Sequence, residues 1–220
     1  ATTGNKINYQ SIGSGGGIRQ FIKGTVDFGA SDASMKDEQI AQVNGNVEQL
    51  PTVIGSVVMT YSLKGMGGRR LRLDATTIAD IYLGRITSWQ DPRLKALNPG
   101  VTFPKLDIVV VGRSDGSGTT FVFTDYLAKV SPEWARRVGR GTAVRWPVGL
   151  GGKGNEGVTA QVKLLEGSIG YVEMGYALAN RLSFAELKNQ AGNWVIPTLA
   201  TAQAAAASIE WAPDTDFRVS

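Results

Sequence analysis

The segment from Arg113 to Thr119 combines residue types that bind small oxyanions. An apolar run, residues 109–111, leads into Gly112 and Arg113, and the turn Ser114-Asp115-Gly116-Ser117-Gly118-Thr119 follows. This order predicts a strand, a tight glycine loop and the start of a helix. The first amides of a helix have no partners inside it, so they can bind an anion, and Ser117 and Thr119 add hydroxyl donors. Arg113 can donate two further hydrogen bonds. The same turn is also typical of an ordinary helix cap that binds nothing.

A second segment repeats this plan nearer the start of the chain. Residues 6–10 alternate as a strand does, residues 12–18 form a glycine loop around Ser14, and residues 19–23 have helical spacing. Three consecutive glycines follow Ser14, and fixing their backbone on folding costs conformational entropy. This cost indicates a purpose for them, either close packing of a helix or a ligand that contacts the backbone. Two loops of one design are better evidence for an anion site than one.

The remaining pattern predicts alternating strands and helices. Residues 26–33 predict a short strand that ends near Asp32, which either caps a helix over residues 36–43 or faces the ligand. The apolar run at residues 50–63 predicts a central strand that leaves one domain and enters another. Residues 146–157 form a third glycine-rich passage, but Gly154 stands where a nucleotide P-loop needs Ser or Thr. Further helices are predicted at residues 77–83 (capped by Asp74), 93–97, 119–129, from 132 onward, 157–165, 173–180 and 201–207, and strands at 168–172 and near 182 and 194.

Composition excludes several classes of protein. The chain has 220 residues, 42% of them hydrophobic, which is typical of a globular protein with one large or two small domains. The sequence contains neither cysteine nor histidine, so it has no thiol chemistry, no Ser-His-Asp triad and no common zinc site. The net charge of +4 is scattered, which indicates a solvated surface rather than a nucleic-acid patch and suits an anionic ligand. No apolar run is long enough to span a bilayer.

Several of these segments resemble the periplasmic phosphate-binding proteins of Pst-type ABC transporters. The similar segments are residues 9–17, 26–32, 51–55, 113–119, 146–155 and 169–173, and the likeness extends from Gly4 to about Tyr176. The resemblance implies an α/β fold, a two-lobed periplasmic-binding-protein-like (type II) clamp that closes by hinge bending over one inorganic phosphate. Residues 1–60 would form part of lobe one with the first hinge strand, and residues 61–220 would form lobe two. The family has an earlier strand, donor loop and helix and a longer C-terminal part, so we expect a chain truncated at both ends with lobe one incomplete.

The resemblance also assigns roles to individual residues. Ser14 would donate from its hydroxyl and amide, and Arg113 would pair with two phosphate oxygens. Donors from the second lobe would be Ser117, Gly118 and Thr119, and Asp32 would accept a hydrogen bond from the O–H of phosphate. Asp115 would hold Arg113, and the supporting glycines would be Gly13, Gly15 and Gly116.

A carboxylate in an anion site predicts selectivity between oxyanions. Two negative charges at hydrogen-bond distance repel by several kcal/mol at intermediate dielectric, unless a proton lies between them. Phosphate carries such a proton at neutral pH and sulfate does not, so bound sulfate would leave Asp32 desolvated and unpaired at a cost of about 1–3 kcal/mol or more. Arsenate, which is protonated like phosphate, should bind as a mimic.

The resemblance therefore predicts a monomeric binding protein, in the periplasm or anchored as a cell-surface lipoprotein, that delivers phosphate to membrane permease subunits. It predicts no cofactor, no metal, no nucleic-acid partner and no catalysis. The alternatives are a phosphatase or phosphotransferase that uses the same anion loops, a surface interaction protein in which phosphate binding is vestigial, and the same fold with sulfate or molybdate as ligand. An enzyme would need a nucleophile, a general base or a metal cluster.

Overall fold

The computed structural model describes residues 4–208 of the chain. Residues 1–3 and 209–220, which the two predicted domains include, lie outside this range. The helices are α1 (Ser14–Ile22), α2 (Asp37–Ile40), α3 (Ala75–Tyr82), α4 (Pro92–Leu97), α5 (Gly118–Val130), α6 (Pro132–Arg137), α7 (Gly154–Leu164), α8 (Met174–Ala179) and α9 (Leu199–Ala207). The strands are β1 (Val57–Tyr61), β2 (Arg72–Leu73), β3 (Val109–Arg113), β4 (Leu150–Gly152), β5 (Ser168–Glu173), β6 (Ser183–Phe184), β7 (Glu186–Lys188) and β8 (Trp194–Val195).

A five-stranded mixed sheet forms the centre of the α/β fold, in the order β4-β3-β5-β1-β6. Strand β3 runs parallel to both β4 and β5, whereas β1 runs antiparallel to β5 and β6. Because helices cover both faces, the inner strands are continuous apolar runs rather than alternating ones. Successive strand residues such as Val110 and Val111 therefore enter different cores, one packed with α3–α6 and the other with α7 and α8.

A second, smaller sheet packs beside the first in the order β2-β7-β8. The ring of Trp194 on β8 lies between two cations, with the Arg72 guanidinium 5.1 Å and the Lys188 ammonium 5.9 Å from its centre. Helix α9 follows this sheet and buries none of its residues. This part of the chain does not contribute to the cleft described below.

The segment before β1 is built differently from the rest. Its regular elements among residues 4–56 are α1 and α2, and its exposed large apolar side chains are Ile7, Tyr9, Phe28, Leu50, Val53 and Ile54. The predicted strands at residues 6–10 and 26–33 are therefore wrong, because no described strand lies beside them to form a ladder. The predicted long strand at residues 50–63 shortens to β1 for the same reason, and the predicted domain boundary after residue 60 falls inside β1.

Most of the predicted helices are confirmed, and their ends are set by capping residues. Asp74 accepts a hydrogen bond from the Thr77 amide at 2.8 Å and begins α3, and Gly84, with φ of 74°, follows its last turn. The helix predicted at residues 36–43 is the single turn α2, which Lys36 precedes, so Asp32 does not cap it. No helix among residues 4–208 is both long and apolar enough to cross a bilayer.

Candidate functional site

The N-termini of α1 and α5 meet at a close backbone contact. The Gly15 amide donates to the Gly116 carbonyl at 2.9 Å. Gly13, which precedes α1 with φ of 71°, leaves no room for a side chain, since a Cβ there would lie 2.6 Å from the same carbonyl oxygen. A Cβ on Gly15 would lie 3.0 Å from the Gly116 Cα. These three glycines let two helix N-termini, with the positive ends of their dipoles, approach one another.

A cleft of about 720 Å³ opens where the two helices meet. All six residues predicted to bind the ligand line it: Ser14, Asp32, Arg113, Ser117, Gly118 and Thr119. Gly13 and Asp115 line it as well, whereas Gly15 and Gly116 form the helix contact beneath it. Residues far apart in the chain, from both loops and from the segment around Asp32, are thus brought to one place.

The first turn of α5 presents free amides to this cleft. Ser117 is fully buried and caps the helix, because its Oγ accepts from the Thr120 amide at 3.1 Å, while its own amide donates to the Thr142 carbonyl at 2.7 Å. The amides of Gly118 and Thr119 have no hydrogen-bond partner within residues 4–208. Ser117 is therefore a helix cap, and its hydroxyl hydrogen remains available at the cleft. Anion binding by this turn stays a prediction.

Ser14, Asp32 and Gly118 converge on one point. The Oγ of Ser14, a buried residue at the start of α1, accepts from the Asp32 amide at 3.2 Å. Gly118 lies against both, since a Cβ there would lie 2.6 Å from the Asp32 Oδ2. The absence of a side chain at position 118 is therefore what lets the α5 amides approach Asp32.

Arg113 ends β3 and is almost completely buried. Its Nε and Nη2 donate to the two carboxylate oxygens of Asp115, each at 2.7 Å. Asp115 also accepts from the Gly154 amide at 3.0 Å. This two-pronged pair fixes the plane of the guanidinium and leaves the hydrogens on Nη1 and the second hydrogen on Nη2 for a ligand. It also balances most of the positive charge of Arg113.

The two carboxylates of the site have opposite pKa shifts. Burial raises the pKa of Asp115, but the hydrogen bonds from Arg113 and Gly154 and the charge of Arg113 outweigh it, so this pKa is lowered overall. Asp32 lies at the open side of the cleft and keeps much of its surface exposed, yet neighbouring atoms partly desolvate its carboxyl group. This desolvation raises the pKa of Asp32, and the charge of Arg113 only partly offsets it. Asp32 is therefore an ionisable acceptor that forms no ion pair with any residue from 4 to 208.

One wall of the cleft was missed by the prediction of site residues. Lys153, Asn155, Glu156 and Tyr176 line it, with the Tyr176 hydroxyl donating to Glu156 Oε1 at 2.8 Å. The first three belong to the third glycine-rich passage, which was the sequence feature that could have identified them. That passage predicted a loop, but it did not indicate that α7 begins at Gly154 or that Gly154 contacts Asp115.

The arrangement supplies many donors and one prominent acceptor. The donors come from two helix N-termini, two hydroxyls and a guanidinium, and the acceptor is the Asp32 carboxylate. Among the described residues, 4–208, no group of three or more acidic side chains could hold a metal ion. Such a set of groups can bind a small tetrahedral oxyanion and can accept a proton-bearing oxygen at one position.

The sequence is similar to proteins of known name. Residues 1–216 match the family model described as PBP superfamily domain. The phosphate-binding protein PstS of Xylella fastidiosa strain 9a5c is 49% identical over 219 residues, covering 100% of this chain and 60% of that protein. The protein of the same name from Pasteurella multocida strain Pm70 is 52% identical over 209 residues, covering 95% of this chain and 60% of that protein. The chain thus spans about 60% of the length of these relatives.

Solved structures are similar in fold. A human phosphate binding apolipoprotein superposes with a TM-score of 0.76 at 23% identity, covering 97% of this chain and 66% of the other. A high affinity periplasmic phosphate-binding protein, PfluDING, solved with phosphate bound, superposes with a TM-score of 0.73 at 22% identity, covering 97% and 64%. At these identities the likeness shows a shared fold.

Proposed function

This chain belongs to the PBP superfamily, and on that premise we propose that it binds one inorganic phosphate in the cleft between α1 and α5. The observation that carries the proposal is the convergence of two helix N-termini, a buried arginine and the Asp32 carboxylate on one cleft. The helix amides and the guanidinium match the several acceptor oxygens of phosphate, and the carboxylate matches its proton.

Each residue of the site has a defined role in this proposal. Ser14 donates from α1, and Gly118 and Thr119 donate their free amides from α5. Arg113 pairs through the edge that Asp115 leaves open, and the hydroxyl of Ser117 adds a donor. Asp32 accepts from the O–H of the bound phosphate, as it would from arsenate. Gly13, Gly15 and Gly116 allow the backbone approach on which these contacts depend.

We further propose that the cleft divides two lobes, residues 1–60 and residues 61–220, which close over the ligand. Ser14 and Asp32 lie in the first and Arg113, Ser117, Gly118 and Thr119 in the second, so bound phosphate would bridge them. By analogy with the relatives named phosphate-binding protein, the chain would act as a monomer in the periplasm, or on a lipid anchor, and pass phosphate to the permease subunits of an ABC importer.

Binding explains the site better than phosphoryl chemistry does. A phosphatase needs a nucleophile, a general base or a metal cluster. The sequence contains no histidine or cysteine, and two of the carboxylates at the cleft have other partners: Asp115 pairs with Arg113, and Glu156 accepts from Tyr176. Asp27 also lines the cleft, but Asp32 is the acidic residue that lies against Ser14 and Gly118, so we assign the ligand contact to it.

Titration calorimetry on phosphate-free protein tests the proposal. We expect phosphate to bind with a stoichiometry of one and arsenate to compete with it, while sulfate at the same concentration gives no binding heat. The absence of binding at millimolar phosphate would overturn the proposal. Binding of sulfate with the same affinity as phosphate would show that the cleft does not distinguish the two anions, and the proposed role of Asp32 would then be wrong.

A further inference from the structure

The hydroxyl of Tyr171 lies directly behind the anion cleft and contacts two of the elements that line it. Tyr171 is a fully buried residue of β5. Its hydroxyl oxygen accepts from the backbone amide of Arg113 at 3.2 Å and lies 2.6 Å from the Thr120 Oγ1. Arg113 ends β3, and Thr120 belongs to the first turn of α5. One hydroxyl group thus connects the strand that carries the guanidinium to the helix that carries the free amides.

These bonds continue into the helix cap. The amide of Thr120 donates to Ser117 Oγ, so a chain of hydrogen bonds runs from the Arg113 amide through Tyr171 and Thr120 to Ser117. All four residues are at most 6% exposed, so water does not substitute easily for a lost partner. The position of Arg113 relative to the α5 N-terminus therefore depends on the Tyr171 hydroxyl.

Aromatic packing holds the Tyr171 ring in place. Phe123 stacks on it with ring centres 4.4 Å apart, and the Trp146 ring lies 5.8 Å away. The Trp146 Nε1 donates to the Arg113 carbonyl at 3.0 Å. The peptide groups on both sides of the Arg113 Cα are consequently held by aromatic side chains that do not line the cleft.

We propose that Tyr171 is a positioning residue of the anion site, whose hydroxyl sets the distance between Arg113 and the N-terminus of α5. The inference rests on the proposed phosphate site for its effect on binding, but its geometry does not depend on the ligand. Removing the hydroxyl leaves the Arg113 amide without an acceptor and lets the two groups of donors drift apart. An ångström-scale misplacement of binding groups weakens binding although every ligand contact is still present in the chain.

Tyr171→Phe tests this, with Tyr82→Phe as the matched control. Tyr82 belongs to the same aromatic cluster, with its ring centre 6.3 Å from that of Tyr171, and is equally buried. Its hydroxyl has no hydrogen-bond partner among residues 4–208. Both variants remove one buried hydroxyl from one cluster, but only the first removes hydrogen bonds to the site. We expect Tyr171→Phe to weaken phosphate binding about 10-fold, the effect of one unsatisfied buried donor, and Tyr82→Phe to leave the dissociation constant unchanged.

A second readout needs no ligand. Hydrogen exchange followed by NMR should show the Arg113 amide exchanging at least 10-fold faster in Tyr171→Phe than in wild type, and unchanged in Tyr82→Phe. Thr120→Ser, which keeps a hydroxyl, should retain wild-type affinity, whereas Thr120→Val should weaken binding as Tyr171→Phe does.

The outcomes separate this inference from the proposed function. Unchanged Arg113 exchange in Tyr171→Phe overturns the inference, whether or not phosphate binds. Faster exchange with unchanged phosphate affinity overturns it too, because the hydroxyl would then serve folding alone. If wild-type protein binds no phosphate, the proposed function fails, and the exchange measurement still decides whether Tyr171 positions Arg113.

Discussion

At the scale of single residues, we propose that Asp32 determines which anion the cleft accepts. Its backbone amide donates to Ser14 Oγ, and its carboxylate lies against Gly118. Arg113, the cation whose charge acts on this carboxylate, is already paired with Asp115. A bound anion must therefore bring its own proton to Asp32 or leave two negative charges in contact.

Asp32→Asn should accordingly weaken the rejection of sulfate. The amide of asparagine can donate to an unprotonated oxygen, so we expect sulfate to bind at least 10-fold more tightly than to wild type, while phosphate binding weakens. Competition of sulfate against phosphate in calorimetry measures both constants. Asp27→Asn is the control, because this residue also lines the cleft but, unlike Asp32, has no hydrogen bond to Ser14 among residues 4–208. Unaltered sulfate discrimination in Asp32→Asn would contradict the role of the carboxylate.

Asp115 makes the stability of the fold depend on pH in the acidic range. Its pKa is lowered in the folded state, despite burial, by Arg113 and Gly154. The stability it adds is therefore complete above the ordinary aspartate pKa of 3.8 and is lost as pH falls through the lower, folded-state value. Asp115→Asn should remove this acid dependence and cost about 3 kcal/mol at neutral pH, because Arg113 is left buried without its partner.

Thermal unfolding between pH 2 and pH 7 checks this expectation. Glu186→Gln is the matched control: Glu186 is 14% exposed against 17% for Asp115, but its partner Arg72 is 43% exposed where Arg113 is 4% exposed. An ion pair with an exposed arginine contributes about 0–1 kcal/mol. Equal losses of stability in the two variants would show that the Arg113–Asp115 ion pair stabilises the fold no more than the exposed Arg72–Glu186 pair does.

At the scale of elements, the ends of the helices were the most predictable feature. Asp74 and Pro92 follow the rules for helix starts, and α3, α4 and α6 begin where their sequences predict. The turn before Gly118 was also identified as a helix start. The helix predicted at residues 19–23, however, begins at Ser14, so most of the glycine loop predicted at residues 12–18 is helical. Local signals of this kind need no knowledge of the rest of the chain.

Strand pairing was less predictable, since the strand that pairs with a given segment can lie far from it in the sequence. Residues 6–10 alternate correctly, yet no described strand pairs with them. Hydrogen bonds between residues far apart in the sequence could not be predicted either: nothing near Tyr171 in the sequence indicates its bonds to Arg113 and Thr120. The residues that line the cleft could be proposed because they lie in local motifs that resemble a known family, and the residues behind them could not.

Ser117 caps α5, and we propose that it also contributes to ligand binding, which Ser117→Ala tests. The cap is worth about 1 kcal/mol of stability. Losing it should fray the first turn, where the free Gly118 and Thr119 amides lie, so we expect phosphate affinity to fall as well.

Asp74→Ala is the control for that experiment. Asp74 caps α3 through Thr77 in the same way, but it does not line the cleft. Denaturant unfolding should show similar losses of stability in both variants, and calorimetry should show weaker phosphate binding only for Ser117→Ala. Unchanged affinity in Ser117→Ala would mean that the α5 amides do not contact the ligand.

At the scale of the whole molecule, a well-packed part and a poorly packed part meet at the cleft. The sheet around β3 and β5 is buried on both faces, whereas residues 4–56 carry large exposed apolar side chains and contribute no strand. Segments with few buried contacts open at lower free energy than the core does. We call residues 4–56 the weaker part. A ligand that contacts Ser14 and Asp32 in this part would also contact Arg113 and Gly118 in the well-packed part. It would therefore stabilise the weaker part through its contacts with the other.

Limited proteolysis should reveal this bridging. Lys23, Lys36 and Lys129 are all exposed. The first two lie in the segment before β1, whereas Lys129 lies in the last turn of α5, a helix packed on the core. We expect trypsin to cut first after Lys23 and Lys36, and phosphate at 100 times its dissociation constant to slow those cuts by up to about 100-fold, since ligand binding stabilises the closed form by RT ln(1 + [L]/Kd). Mass spectrometry of the early fragments assigns the cuts. Sulfate should not protect, and neither should phosphate in Gly118→Ala, where the new methyl group would crowd Asp32 Oδ2 at 2.6 Å. Equal cleavage after Lys23 with and without saturating phosphate would show that the ligand contacts only one of the two parts, and the proposed closing of lobes over phosphate would then be wrong.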